Sequence, residues 1–219
     1  MKPQGSVLQR LKKFVSSDPP LWAIWLLLGR ISSKAKSKCL AWIFHAPGLY
    51  LGPGSLIKGA NFIRFGRDFY VHGHLWMEAV VSYRDQCFNP KIEIGDAVSF
   101  SQGVHISCIE RITIGRNVLI GSGVYISDHN HGSYRGPTPS SPDEPPTARR
   151  LTGGPVDIGD NVWIGDNVVI VGPLSIGRGS IVGANSVVRA NVPENVMVAG
   201  IPARHLRRFD ITSGQWQKI

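Results

Sequence analysis

Cysteine and methionine are scarce in this chain, at three each in 219 residues. Cys39, Cys87 and Cys108 are odd in number and far apart, with no Cys-x-x-Cys pair, which argues against a disulfide framework or a zinc ribbon and fits a reducing compartment. Charged residues make up only 18%, against 25 glycines. Glycine is penalised inside helices and useful at backbone corners, so a helical bundle is disfavoured and the composition leans towards β-structure. Acidic side chains are the scarcer sign, 15 against 24 Lys and Arg. The resulting charge of +9 suits phosphate-bearing ligands, polyanions or an acidic membrane surface, and charge alone does not choose among them. Long hydrophobic runs are also missing. The most apolar one, Leu21 to Leu28, is far short of the ~20 residues that span a bilayer, and no clear small-residue cleavage site accompanies it. The expectation is a soluble or peripheral, cytoplasmic protein with one main domain.

Residues 1–48 read as a helical, basic lead-in, with Leu8, Leu11, Phe14 and Val15 at helical spacing among Arg10, Lys12 and Lys13. Two readings of this segment stay open: a cap packed on the core, or a membrane-surface contact built on Trp22, Trp25 and the neighbouring cations.

From residue 94 a six-residue rhythm sets in. Its anchors are Ile94, Phe100 and Ile106, then Ile114, Ile120 and Ile126, then Ile158, Ile164, Ile170, Ile176, Val182 and Val188. Glycine often follows an anchor, and a small residue such as Val98, Val118, Val162, Val168, Ser180 or Ser186 lies four places on. A unit of this length supplies one short strand and one corner, so three units close a triangular coil of about eighteen residues whose anchors stack on those of the next coil. Gly or Asn at each corner, as in Gly159-Asp160-Asn161, admits backbone angles that strain other residues. Weaker half-matches place the first, irregular coils near residue 50, and give a repeat domain over 49–208 followed by a tail over 209–219. Two breaks interrupt the ladder. The step from Ile106 to Ile114 is two residues too long and implies a bulge; the step from Ile126 to Ile158 leaves a proline-rich insertion at about 132–157. Loops of that size inside a compact repeat are usually functional or disordered.

Three stretches carry a resemblance: Ile114-Gly-Arg-Asn-Val-Leu-Ile-Gly121, Ile158-Gly-Asp-Asn-Val-Trp-Ile-Gly165, and Ala199-Gly-Ile-Pro-Ala-Arg204. In this order they resemble the hexapeptide-repeat acyltransferases, in the branch of galactoside and maltose acetyltransferases and of surface-polysaccharide O-acetyltransferases. The likeness covers about 94–208. It implies an all-β main domain, a left-handed parallel β-helix, and a homotrimer with active sites between subunits. It further implies acetyl-CoA as acetyl donor, a sugar or glycan acceptor, no metal, and no nucleic-acid partner.

Acetyl transfer to a hydroxyl needs a base, and a neutral imidazole suits that task near pH 7. The segment Val124-Tyr-Ile-Ser-Asp128-His129-Asn130-His131-Gly132 closes one coil and opens into the long loop. By resemblance the catalytic histidine stands seven residues after Val124, at His131; His129 is the competing choice, and Asp128 either orients the imidazole or caps its own turn. The same resemblance places Trp163 as an aromatic wall beside the thioester arm, or at a trimer interface. Gly183 and Ala184 fall where the pantetheine arm lies along the helix wall. Arg189, Arg204, Arg207 and Arg208 are candidate partners for the CoA phosphates. Ser101 and Gln102 occupy the acceptor-contact coil, where this chain lacks the asparagine of similar sugar enzymes. Competing readings are another acceptor (a nucleotide-sugar amine or an antibiotic hydroxyl), a β-helix hydratase with zinc held by histidines across a trimer interface, whose wider spacing His105, His129 and His131 do not reproduce, and a non-catalytic scaffold.

Overall fold

The computed structural model describes residues 19–134 and 136–219. Each six-residue unit forms one short strand, and the strands line up into three parallel faces of nine, six and five members, the nine-stranded one ending in an antiparallel hairpin. A coil runs from the five-stranded face to the nine-stranded and then the six-stranded one: Arg111–Ile114, Leu119–Ile120 and Tyr125–Ser127 make one, and Val156–Ile158, Trp163–Ile164 and Val169–Val171 the next. The register stacks the anchors in three columns. Ile94, Ile114, Ile158 and Ile176 form the first, Phe100, Ile120, Ile164 and Val182 the second, and Ile106, Ile126, Ile170 and Val188 the third. All twelve are at most 4% exposed. Burial of each such side chain contributes roughly 1.5–3 kcal/mol, so the ladder is the principal source of cohesion. These are the stacked coils expected from the rhythm, in the left-handed parallel β-helix that the resemblance implied.

The corners divide their labour more finely than the sequence suggested. Asn117, Asn161, Asn167 and Asn185 take the left-handed backbone, with φ between 55° and 58°. Gly165 does not. It is glycine because a Cβ there would lie 2.6 Å from the backbone nitrogen of Ala184 in the following coil. Aspartates at corners then tie successive coils together: Asp96, Asp160 and Asp166 accept the backbone N–H of Arg67, Arg116 and Ser122 at 2.7, 2.7 and 2.6 Å.

A helix, Pro20–Ile43, precedes the first strand, Tyr50–Leu51. Ser33 and Ser37 on it are buried, the Ser37 hydroxyl accepts the N–H of Leu51 at 2.9 Å, and Leu40, Ala41 and Phe44 pack against the core. Leu8, Arg10, Leu11, Lys12, Lys13, Phe14 and Val15, and the side chains of Trp22 and Trp25, lie outside the described residues. At the other end Ala203–Asp210 folds back antiparallel on Val196–Gly200, and Gln215–Lys218 pairs with it in turn. Residues 209–219 thus complete a hairpin that extends one face beyond the last coil.

Two insertions leave the prism on the same side. The long loop departs after Ser127 and begins as strand His129–His131, paired antiparallel with Leu151–Gly153. An earlier one, not anticipated from the sequence, is the hairpin Ser82–Tyr83 and Gln86–Cys87 between the six-stranded and five-stranded faces.

Candidate active site

The oversized step between Ile106 and Ile114 turns three backbone N–H groups in one direction, and Asp128 of the next coil receives them. Its buried carboxylate accepts Ile109 at 2.9 Å, Glu110 at 2.7 Å and Arg111 at 3.0 Å, together with the Cys108 thiol at 3.3 Å. The His129 Nδ1 lies 2.8 Å from the other side of the same carboxylate. Burial pushes the Asp128 carboxyl up, but the His129 contact and the N–H donors outweigh it and hold it below the usual carboxylate range. Burial pushes the Cys108 thiol up, and the neighbouring Asp128 charge pushes it further. Asp128 therefore orients an imidazole, that of His129, while closing the bulge.

His131 has other partners. Its Nδ1 is 3.3 Å from the Tyr83 hydroxyl, with the two rings edge to face at 5.3 Å, and its carbonyl accepts the Tyr134 hydroxyl at 2.6 Å. The residue is exposed, whereas the His129 side chain keeps only 9% of its surface. His105 is stacked on Trp76 at 4.3 Å, and burial pushes its imidazole below the ordinary histidine value, against the pull of Glu78. The three histidines thus have three separate sets of partners. Among the described residues no three His, Cys, Asp or Glu side chains are grouped to hold a metal ion.

Beside the His129–His131 strand runs a groove of about 580 Å³. Asn130, Gly132 and Thr152 line it together with the apolar side chains of Val171, Pro173 and Val187 and with Arg189, while neither His129 nor His131 is among its lining residues. Arg189 also lines a second cavity, of about 370 Å³, with Arg204 and His205. Of the cation candidates, Arg189 and Arg204 are thus brought together. Arg207 reaches the Trp216 carbonyl at 3.4 Å, and Arg208 lies opposite Val196 in the terminal hairpin.

Trp163, Ser101 and Gln102 sit elsewhere. All three are on the nine-stranded face, with Trp163 half exposed between Leu119 and Ile181, while the histidine strand leaves from the end of the six-stranded face. Gly183 and Ala184 make the corner between the two faces, after Ile181–Val182. Within one protomer these residues do not share the groove. Tyr83, Asn130 and Thr152 were not read from the sequence as site residues; Asn130 and Thr152 fall in the break of the ladder between Ile126 and Ile158, and Tyr83 falls before the regular rhythm begins at residue 94.

Two family models match the chain, "Bacterial transferase hexapeptide (six repeats)" over residues 155–190 and "Hexapeptide repeat of succinyl-transferase" over 103–128. Among curated proteins, the chain is 46% identical over 128 residues to WbbJ of Escherichia coli strain K12, assigned to lipopolysaccharide biosynthesis as an O-acetyl transferase; the match covers 58% of this chain and 65% of that one. It is 32% identical over 137 residues to the galactoside O-acetyltransferase of the same strain, covering 62% and 61%. The chain therefore spans less than two thirds of the length of these relatives. Among solved structures, a hexapeptide-repeat acetyltransferase of Vibrio cholerae O1 biovar eltor, complexed with acetyl coenzyme A, superposes with a TM-score of 0.54 at 26% identity, over 94% of this chain and 91% of that one. By its stacked anchors, its parallel three-faced coil and these matches, the chain carries the hexapeptide repeat of bacterial transferases over 103–128 and 155–190 and is similar to hexapeptide-repeat acetyltransferases.

Proposed function

We propose that this protein transfers an acetyl group from acetyl-CoA to a hydroxyl of a sugar, in the synthesis of a bacterial surface polysaccharide or lipopolysaccharide. The observation that carries the reading is an exposed imidazole, His131, whose chain neighbours Asn130 and Gly132 line a groove that Arg189 also lines. The similarity to an O-acetyl transferase of lipopolysaccharide biosynthesis supports the substrate class.

The groove suits the pantetheine arm: an apolar wall of Val171, Pro173 and Val187, amide-bonding groups on Asn130 and Thr152, and Arg189 and Arg204 leading towards phosphates. Acetyl-CoA, when bound, supplies the activated acyl carbonyl. His131 takes the acceptor hydroxyl proton as the oxygen attacks and returns it to the departing thiolate. In this reading His129 is held by Asp128 as a structural neighbour. The 2.8 Å contact between the two nonetheless favours a second assignment, in which His129 is the base and the buried carboxylate tunes it.

We also propose that the working unit is a homotrimer. The outward side chains of the five-stranded face are polar, as at Arg64, Glu93, Thr113, Asp157 and Ser175, whereas the other two faces expose Tyr70, Leu119, Trp163, Leu56 and Trp76. Packing those two faces together across subunits carries Trp163, Ser101 and Gln102 of one protomer towards the histidine strand of the next. A nucleotide-sugar amine or an antibiotic hydroxyl as acceptor uses the same base and groove, and acceptor screening separates these from a glycan.

The test is mass spectrometry of surface glycans from cells carrying the wild-type protein, His131→Ala or His129→Ala. The expected result is loss of O-acetyl groups with His131→Ala alone, a fall of about 10²–10⁴ in transfer being typical for removal of a general base. Acetylated glycans with His131→Ala and none with His129→Ala transfer the role to His129. Unchanged glycans in all three, with acetylation of an amine acceptor in vitro, exclude the glycan reading.

A further inference from the structure

The hairpin at residues 82–87 is a clamp on the histidine strand. Its tip meets the return arm of the long loop through a set of contacts that link positions more than sixty residues apart. Tyr83 donates its hydroxyl proton to the Thr147 carbonyl at 2.8 Å, Arg84 donates to the same carbonyl at 3.2 Å, and Asp85 pairs with Arg150. Gln86 grips the backbone of Leu151 with both ends of its amide: its oxygen accepts the Leu151 N–H at 2.7 Å and its nitrogen donates to the Leu151 carbonyl at 3.1 Å. Leu151 is the residue paired opposite His131. The early hairpin thereby fixes the arm that fixes the strand bearing the proposed base.

One of these contacts reaches the imidazole itself. A tyrosine hydroxyl has one proton, and that of Tyr83 is committed to Thr147. Towards His131 Nδ1, at 3.3 Å, the Tyr83 oxygen can therefore only accept. Nδ1 must then carry the hydrogen, and the lone pair of the neutral ring is left on Nε2, the nitrogen turned away from the clamp. A histidine free in water prefers the other tautomer. We infer that Tyr83 is a positioning residue, which sets the tautomer and orientation of His131 so that Nε2 is the basic atom; this rests on the reading of His131 as the base.

Tyr83→Phe keeps the edge-to-face ring contact and removes only the oxygen. Nitrogen NMR of protein labelled in its histidine imidazoles reads the tautomer directly, with the His131 signals identified by their loss in His131→Ala. The wild type is expected to show His131 protonated at Nδ1, and Tyr83→Phe to shift it towards protonation at Nε2. In cells, Tyr83→Phe is expected to lower glycan acetylation about tenfold or more, because the wrong tautomer presents a hydrogen where a lone pair is needed. Gln86→Ala loosens the clamp without touching the ring; it is expected to lower the melting temperature and leave the His131 tautomer as in the wild type. A wild-type His131 already protonated at Nε2, or one whose tautomer does not respond to Tyr83→Phe, overturns the inference. Failure of the underlying reading looks different: His131→Ala then still acetylates, whatever the spectra of Tyr83→Phe show.

Discussion

At the scale of single residues the most consequential group is Asp128, a buried carboxylate that takes three backbone N–H groups, a thiol and an imidazole. Asparagine in its place puts an amide nitrogen among donors and removes the charge facing them, so Asp128→Asn is expected to cost about 2–4 kcal/mol, read as a lower urea midpoint. The pH dependence follows from the direction of its shift. A carboxyl held below its unfolded value binds fewer protons in the native state, so its stabilisation is complete above the ordinary carboxylate range and drains away as pH falls through the native value. Urea midpoints measured from neutral to acid pH should therefore fall for the wild type and converge with those of Asp128→Asn; parallel curves would sink this account. Cys108 belongs to the same cluster. Its raised thiol is expected to resist alkylation by iodoacetamide in the native protein and to react on unfolding, whereas Cys39 and Cys87 are exposed and alkylated at once.

At the scale of elements, the helix Pro20–Ile43 has two unlike faces. Ser33, Ser37, Leu40, Ala41 and Phe44 turn to the body of the protein. On the opposite side Leu21, Leu28, Ile31, Ala35 and Trp42 recur at steps of seven, three, four and seven residues, one stripe of a 3.6-residue period, and all are exposed. Lys34, Lys36 and Lys38 are exposed along it, and no acidic residue occurs between 19 and 67. No described helix is long and apolar enough to cross a membrane. The stripe and its cations suit a helix lying on an anionic surface. Binding to phosphatidylglycerol-containing vesicles is expected to fall about a hundredfold when the three lysines become glutamine, at ~1 kcal/mol each. Equal binding to purely phosphatidylcholine vesicles would remove the charge from the explanation. The corners make a second prediction at this scale. Gly165→Ala drives a methyl against the backbone of the next coil, a cost of about 1–3 kcal/mol that should appear as a melting temperature lowered by several degrees.

At the scale of the whole molecule, the proposed base and the proposed aromatic wall stand on different faces of one prism, so the proposed site is complete only where two subunits share it. His131→Ala and Trp163→Ala are each expected to be inactive alone. Coexpressed in equal amounts they should restore activity to about a quarter of the wild type, because that share of interfaces pairs an intact histidine with an intact tryptophan. No recovery in mixed trimers would place Trp163 outside the site.

What the chain determines locally was readable without a structure. The anchors repeat at a fixed step because each unit is one strand and one corner, and a stack of identical units writes its own period into the sequence; all twelve proved buried. The bulge after Ile106 and the departure of the long loop after Ile126 were visible for the same reason, as errors in that period. Tertiary structure alone decided which groups meet across the interruptions. The carboxylate of Asp128 closes the bulge of the preceding coil, and Tyr83 reaches His131 from a hairpin 48 positions away. Such contacts depend on how two non-repeating insertions dock on one another, through single hydrogen bonds with no periodicity, and so leave no mark on the spacing of residues.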